Sequence, residues 1–537
     1  MEDFQVLIGG AAGQGSKATG QLIAKVLNRY GYKIFIHEDY PSLIRGGHNF
    51  SLIRAAREEK RSIKKRIDFL LALNEETVEK HAHKLDGGEL LFNSDKLECE
   101  GVGVPIKSIA EKHGQKIMQN TALLGAFCKL IGIEEAVLEE VVSEMPKPDE
   151  NLKVAKEAYG SVEQKCEIEK CGQPSPLITG NQALSLGAIE AGLDNYFAYP
   201  MTPSTSILHF LADLETDHDV QVIQPENEIS VINMALGSAF AGKRSMVGTS
   251  GGGMALMGEG ISLASVSETP IVIVNSQRAG PASGVPTYNG QADLKFTLNV
   301  GHGDILRFVL TPGDAEEAFY LTNLAMNLTW KYQVPATVLI DKDISESTVS
   351  FNQSVLEKAE YWEESKNGCG PDYNRYADND FGISPLCYPG GEATVRVTSY
   401  EHDEYGTTTE DSEMINKMQD KRMKKKPLME EEMERLEMVK TCGDGDVALV
   451  TWGSSKMAVK EAAKKTNSKM IQVMCFAPFP EKQFKAALEG VERVVVVEGN
   501  RTGQAADIIS KYVNVDQKIL KYDGRPFYEE EIIDQLN

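Results

Sequence analysis

The residues best suited to chemistry fall in a few short stretches. Tyr199-Pro200-Met201-Thr202-Pro203-Ser204-Thr205 joins an apolar run to a helical one, so the Thr202 hydroxyl and the amides behind it can hold a small acyl or carboxylate group. Plain capping is the other reading, with Pro203 near the first helical position. Glu226 and Glu228 precede an apolar helical stretch, where the helix end favours a carboxylate at Glu228 whether it reacts or merely caps. The turn Gly251-Gly252-Gly253 comes next. Arg278 follows an apolar run and precedes Gly280, Pro281 and Gly284. A cation so placed binds a substrate carboxylate through two N–H groups, or joins an ordinary ion pair.

Two more stretches lie near the N-terminus. Gly9-Gly10-Ala11-Ala12-Gly13-Gln14-Gly15-Ser16 follows a strand and opens a helix, which offers N–H groups to an anion. Its glycine spacing comes close to the dinucleotide fingerprint without completing it, and no Lys-Ser/Thr pair makes a P-loop. Cofactor contact, with Glu38 or Asp39 meeting a ribose hydroxyl, and a simple tight turn both stay open. Ser42 to Asn49 sets Arg45 beside Gly46 and Gly47, where it can grip phosphate or carboxylate or pair with a neighbour. His37, His48, His209 and His402 lack metal-ligand spacing, and His81 and His83 lie in a charged stretch where solvated side chains are expected. No metal ligand is assigned.

These groups need a scaffold in which strands alternate with helices. Residues 4–9 read as a strand, 17–32 as helix and 33–36 as a second strand, a βαβ start with a short crossover. Strands at 67–73 and 90–92 and a helix at 121–131 complete a domain over 1–150, and the proline-rich, charged stretch 151–176 reads as a linker with some helix. Over 177–345 the period switches repeatedly between helix and strand, with strands expected at 196–199, 220–223, 246–249 and 270–274. Ligand-bearing loops of a doubly wound sheet belong at the C-terminal ends of such strands. Residues 346–440 form an irregular segment and a charged stretch in which Lys424-Lys425-Lys426 faces Glu430-Glu431-Glu432, expected to be a solvated helical arm. Residues 441–537 repeat the α/β pattern as a small third domain, with Gly443-Asp444-Gly445-Asp446 read as a turn.

With 537 residues the chain is long enough for several cores, and 56 Lys and Arg against 79 Asp and Glu leave a net charge of −23. A field of that sign argues against nucleic acid or an anionic membrane as a partner. Eight scattered cysteines suit a reducing compartment. Without a basic leader or a run of 18 apolar residues, a cytoplasmic location is expected.

In their order, Gly9 to Ser16, Arg45-Gly46-Gly47-His48, Tyr199 to Thr205, Glu226-Asn227-Glu228-Ile229, Thr249-Ser250-Gly251-Gly252-Gly253, Arg278-Ala279-Gly280-Pro281 and Glu401-His402-Asp403-Glu404-Tyr405-Gly406 resemble the alpha subunit of 2-oxoacid:ferredoxin oxidoreductases, in the form with a gamma domain fused in front. The resemblance implies a three-domain α/β chain: a gamma-type domain, a doubly wound domain like the pyrimidine-binding half of a thiamine enzyme, and a small C-terminal α/β domain. It implies oxidative decarboxylation of a 2-oxoacid to acyl-CoA, with electrons passed to ferredoxin. Thiamine diphosphate would be shared with a beta subunit that carries Mg²⁺ and a [4Fe–4S] cluster, coenzyme A would be co-substrate, and the assembly would be a dimer of alpha-beta heterodimers.

By residue matching, Glu228 would hydrogen-bond N1′ of the aminopyrimidine, Arg278 and Thr202 would hold the 2-oxoacid, and Gly13, Gln14 and Arg45 would serve coenzyme A. Met201 stands where the family usually has Ile, and Ala282 where it usually has Ser. Pyruvate, 2-oxoglutarate, branched-chain, aryl and indole oxoacids all stay open as substrates. A nicotinamide- or flavin-dependent oxidoreductase built on the Gly9 loop and a non-catalytic assembly subunit are the alternatives.

Overall fold

The computed structural model describes residues 1–41, 47–363 and 369–536, so Arg45 lies outside the described residues. The chain divides into two compact units. One comprises Met1–Thr179, Glu346–Gln353 and Phe527–Asn537, the other Gly180–Ser345 and Ser354–Pro526.

In the first unit an eight-stranded sheet has the spatial order Val102–Val104, Leu85–Asn93, Ile67–Ala72, Asp3–Ala11, His48–Ala56, Lys33–Asp39, Thr348–Ser350, Leu177–Thr179. His48–Ala56 runs antiparallel to both Asp3–Ala11 and Lys33–Asp39 and separates them. The expected βαβ start is present, with its two strands parallel, but an unexpected antiparallel strand is inserted between them. The intervening strand is masked in the sequence by Arg54, which is buried because its Nε and Nη2 donate to the Asp3 carboxylate at 3.0 and 2.8 Å. Glu38 and Asp39 are buried within a strand, and the Ser51 hydroxyl donates to Glu38 Oε2 at 2.6 Å, so the ribose role considered for them is also corrected. Helix Pro148–Gly160 buries Val154, Ala155 and Ala158 in the core of this unit.

His81 is not solvated as expected: it is buried, with its Nε2 2.9 Å from that of His48. Burial, helped by Lys84, pushes its imidazole down to about 3, which keeps it neutral. His83 is exposed.

The second unit holds two sheets. Seven strands lie in the order Cys475–Ala477, Phe308–Leu310, Pro335–Asp341, Ile271–Gln277, Ser245–Thr249, Asn195–Phe197, Gln221–Ile223, all parallel except the first. Every residue of Ile271–Gln277 and Pro335–Asp341 is buried, as a parallel sheet covered on both faces requires. The chain leaves Asn195–Phe197 for Gln221–Ile223 on one side, then crosses to Ser245–Thr249 on the other. A crevice thus opens at the C-terminal ends of Asn195–Phe197 and Ser245–Thr249. The second sheet has the order Val439–Cys442, Lys469–Val473, Val447–Thr451, Arg493–Glu498, Gln517–Leu520, its first strand antiparallel and the rest parallel.

The charged arm forms helices Ser412–Met423 and Lys425–Arg435, but it is not simply solvated. Lys421 and Lys425, four residues apart on one face, are fully buried and donate to the two carboxylate oxygens of buried Glu268 at 2.8 and 2.5 Å. Arg375 Nη2 donates to the Glu268 carbonyl at 2.7 Å. The expected solvation held only for the outer face, where Lys426 lies 3.8 Å from Glu430. Cys369 and Cys387 form a disulfide within the irregular segment, a pairing that their spacing of 18 residues did not announce. Among the described residues no helix is long and apolar enough to cross a membrane.

Candidate functional site

The crevice collects three of the six residues singled out in the sequence. Asn227 caps helix Glu228–Phe240 by accepting from the Ser230 amide at 3.0 Å, which relieves Glu228 of that task. The Glu228 side chain turns inward: the residue is 3 % exposed, and its Oε1 has no hydrogen-bond partner among the described residues. The capping alternative for Glu228 is thereby excluded.

The triplet read as a turn, Gly251-Gly252-Gly253, instead opens the short helix Gly251–Leu256 at the end of strand Ser245–Thr249. Gly253 lies flat against Glu228. A Cβ there would collide with Thr249 Oγ1 and come within 2.7 Å of Glu228 Oε1. Gly253→Ala is accordingly expected to push the Glu228 carboxylate out of place and lower kcat by about tenfold or more, of the order found when a reacting group is misplaced by a fraction of an ångström. Steady-state kinetics on the assembled enzyme checks this, with a circular dichroism spectrum as the control for folding.

Thr202 is not a cap either. Helix Thr205–His218 starts three residues later and has no side-chain cap. Arg278, at the end of strand Ile271–Gln277, donates from Nη1 to the Thr202 carbonyl at 2.8 Å, which ties two of the candidate residues together. Met201 lies beside the same glycine helix, since Thr249 Oγ1, which faces Gly253, is 3.9 Å from its Sδ. Burial lowers the Arg278 pKa while Asp293 opposes the shift. Arginine's intrinsic basicity still keeps it charged.

Asp293 went unnoticed in the sequence. Its carboxylate sits where a Cβ on Gly251 would be, accepts from Asn275 Nδ2 at 3.4 Å, and is raised in pKa by burial against the pull of Asn275 and Arg278. Tyr196 was read only as a strand residue. Its hydroxyl is buried beneath Gly248 without a partner among the described residues, and burial drives its pKa upward.

The remaining candidates belong to the first unit. Gly13, in the left-handed region at φ +84°, has no described residue within 4 Å of where a side chain would project. Gln14 folds back on its own loop, its Oε1 accepting from the Ala11 amide at 2.7 Å. Among the described residues no group of three or more His, Cys, Asp and Glu side chains is arranged to hold a metal ion.

Comparison with known proteins follows the same division. Residues 186–421 match the family described as "Pyruvate flavodoxin/ferredoxin oxidoreductase, thiamine diP-bdg", and residues 5–161 match "Pyruvate ferredoxin/flavodoxin oxidoreductase". The chain is 31 % identical to 2-oxoacid:ferredoxin oxidoreductase 2, subunit alpha, of Aeropyrum pernix over 99 % of its own length and 97 % of that protein's. It is 29 % identical to the 2-oxoacid:ferredoxin oxidoreductase subunit alpha of Saccharolobus solfataricus, over 98 % and 96 %. Among solved structures it is similar to 2-oxoglutarate:ferredoxin oxidoreductase from Magnetococcus marinus, determined with 2-oxoglutarate, coenzyme A and succinyl-CoA bound. That likeness has a TM-score of 0.90 and 28 % identity, and covers 100 % of this chain and 99 % of that one. The chain therefore belongs to the 2-oxoacid:ferredoxin oxidoreductases, as the fused gamma–alpha subunit of an enzyme that oxidatively decarboxylates a 2-oxoacid and passes the electrons to ferredoxin.

Proposed function

We propose that this chain supplies the pyrimidine half of a thiamine diphosphate site, that a beta subunit supplies the diphosphate half, and that neither acts alone. The observation that carries this reading is the Glu228 carboxylate oxygen, buried beside Gly253 with no partner among the described residues. Such an atom costs about 1–3 kcal/mol unless a ligand donates to it, and a protonated ring nitrogen fits that need. When bound, thiamine diphosphate supplies the electron sink for loss of carbon dioxide. Glu228 would hold the proton at N1′ of the aminopyrimidine.

Arg278 would take the substrate carboxylate. One of its N–H groups is committed to the Thr202 carbonyl, and a guanidinium has five. The Thr202 hydroxyl would meet the substrate's keto oxygen. Gly13, Gln14 and Arg45 are assigned to coenzyme A, supported by the room that the described residues leave at Gly13. Mg²⁺ and a [4Fe–4S] cluster are assigned to the beta subunit, and the assembly to a dimer of alpha-beta heterodimers.

The chain purified alone is expected to give no 2-oxoacid-dependent viologen reduction, and the copurified complex to give it. Full activity from the single polypeptide overturns the shared site. A substrate panel on the complex, pyruvate, 2-oxoglutarate and branched-chain, aryl and indole oxoacids, identifies the substrate. In that complex Arg278→Ala is expected to raise the KM for the 2-oxoacid by about 10- to 100-fold, the equivalent of losing one or two hydrogen bonds to a charged group. An unchanged KM removes Arg278 from the substrate's carboxylate.

A further inference from the structure

The C-terminal five-stranded sheet has its own crevice at the switch point of a doubly wound sheet, between the ends of Val447–Thr451 and Arg493–Glu498. In such sheets this is where ligands bind, with anions drawn to the helix N-termini beside it. Here the chain's own side chains occupy those positions. Asp341 Oδ2 accepts from the Ser454 amide at 2.9 Å, just ahead of helix Ser455–Thr466. Glu498 accepts from the Ala505 and Ala506 amides at 2.9 and 3.0 Å, at the start of Gln504–Ile509.

Between them sits Gln291, which is fully buried and uses its whole amide. Its Nε2 donates to Asp341 Oδ2 at 3.0 Å and to the Trp452 carbonyl at 3.1 Å, while its Oε1 accepts from Ser455 Oγ at 3.0 Å and from the Gly499 amide at 2.6 Å. Its backbone is held too: the amide donates to the Gly499 carbonyl at 2.9 Å, and the carbonyl accepts from Asn500 Nδ2 at 3.1 Å. Gly453 and Gly499 leave the room, for a Cβ at Gly453 would lie 2.5 Å from Gln291 Nε2 and one at Gly499 3.0 Å from its Oε1.

Gln291 closes the loop that begins at Arg278. The Ala279 amide donates to the Tyr288 carbonyl at 3.0 Å, the Asn289 amide to the Gly524 carbonyl at 3.0 Å, and Asn289 Nδ2 to Ser454 Oγ at 3.2 Å. The Arg525 guanidinium lies over the Tyr288 ring at 4.0 Å. Residues 280–285 between these ties are exposed, so the return of the loop is held by its far end.

We infer that Gln291 is a positioning residue for the decarboxylation: it is inserted as an internal ligand into the C-terminal domain's crevice, and that domain serves as the seat of the Arg278 loop. A primary amide suits the role because it satisfies donors and acceptors on both crevice walls at once without bringing a second charge beside Asp341. The inference rests on the assignment of Arg278 to the substrate carboxylate.

The test uses the assembled complex with variants Gln291→Ala, Arg278→Ala, and both together. Gln291→Ala is expected to raise the KM for the 2-oxoacid at least tenfold while the KM for coenzyme A stays within twofold. Because Gln291 acts through Arg278, the double variant is expected to be no worse than Arg278→Ala alone. An oxoacid KM within twofold of the parent, or effects that simply multiply, overturns the inference. If Gln291→Ala fails to assemble, the variants Asn289→Ala and Ser455→Ala, each of which trims one tie, are read by the same criteria. An Arg278→Ala variant with unchanged KM defeats the Arg278 assignment itself, whereas a raised KM there beside an unaffected Gln291→Ala defeats only the inference drawn from Gln291.

Discussion

Glu228→Gln in the assembled enzyme is expected to lower kcat/KM at least 100-fold, about 2.7 kcal/mol of transition-state stabilisation, with the complex intact. The substitution keeps the shape of the side chain and one carbonyl oxygen, so the packing against Gly253 and Thr249 survives. What disappears is the charge that, in the proposed site, would hold a proton on the ring nitrogen of the aminopyrimidine. A neutral amide is a weaker acceptor, and it can present an N–H where an acceptor is needed. Viologen reduction measured as a function of 2-oxoacid concentration at saturating coenzyme A gives kcat/KM, and size-exclusion chromatography checks assembly. Near-parental turnover from both Glu228→Gln and Arg278→Ala supports the non-catalytic assembly subunit instead.

The second large effect concerns stability. Glu268→Ala is expected to cost about 3–5 kcal/mol in the docking of the arm helices, because it leaves the Lys421 and Lys425 ammoniums buried with no counter-charge. Even with Glu268 present, burial pushes the Lys425 ammonium down to about 8. Against burial, which raises it, Lys425, Lys421 and Arg375 hold the Glu268 carboxyl well below the ordinary carboxylate range. Its contribution is therefore in place above the ordinary value of 4.5 and is lost only as the pH falls through the lower folded value. Hydrogen exchange over residues 412–435 is expected to quicken about 100-fold or more in the variant. Glu268→Met combined with Lys421→Met and Lys425→Met is expected to recover most of the protection, since apolar groups of similar volume replace a buried ion cluster at little cost. Unaltered exchange in Glu268→Ala means the cluster does not hold the arm.

How far each feature could be read from local sequence depends on what surrounds it. Thr202 and Arg278 stand out because apolar strand runs end just before them and proline or glycine follows, Glu228 because an apolar helical run begins at it, and the doubly wound sheet brings the strand ends to one crevice. The strand His48–Ala56 escaped because Arg54, paired with Asp3 across the sheet, interrupts its apolar pattern. Lys421 and Lys425 looked like members of a solvated charge run. Their spacing of four places them on one helix face, a signal that was present, but nothing nearby names their partner, which lies 153 and 157 residues back. Gln291 is an unremarked polar residue in a loop until Ser455 and Gly499, 164 and 208 residues further on, close around it.

Hydrophobic periodicity and turn-forming residues were thus enough to read the α/β architecture, while the family and the residues on which the proposed chemistry rests came from the resemblance carried by the order of the motifs at the strand ends. These are local properties, set by backbone sterics and by which face of each element must leave water. The inserted antiparallel strand, the buried lysine pair, the freeing of Glu228 from capping and the seating of Gln291 in the C-terminal crevice emerged from the folded chain alone. Each depends on a hydrogen bond or charge pair whose partner is remote or whose geometry a residue string does not carry, and burial makes those partners decisive by taking away the water that would otherwise stand in for them.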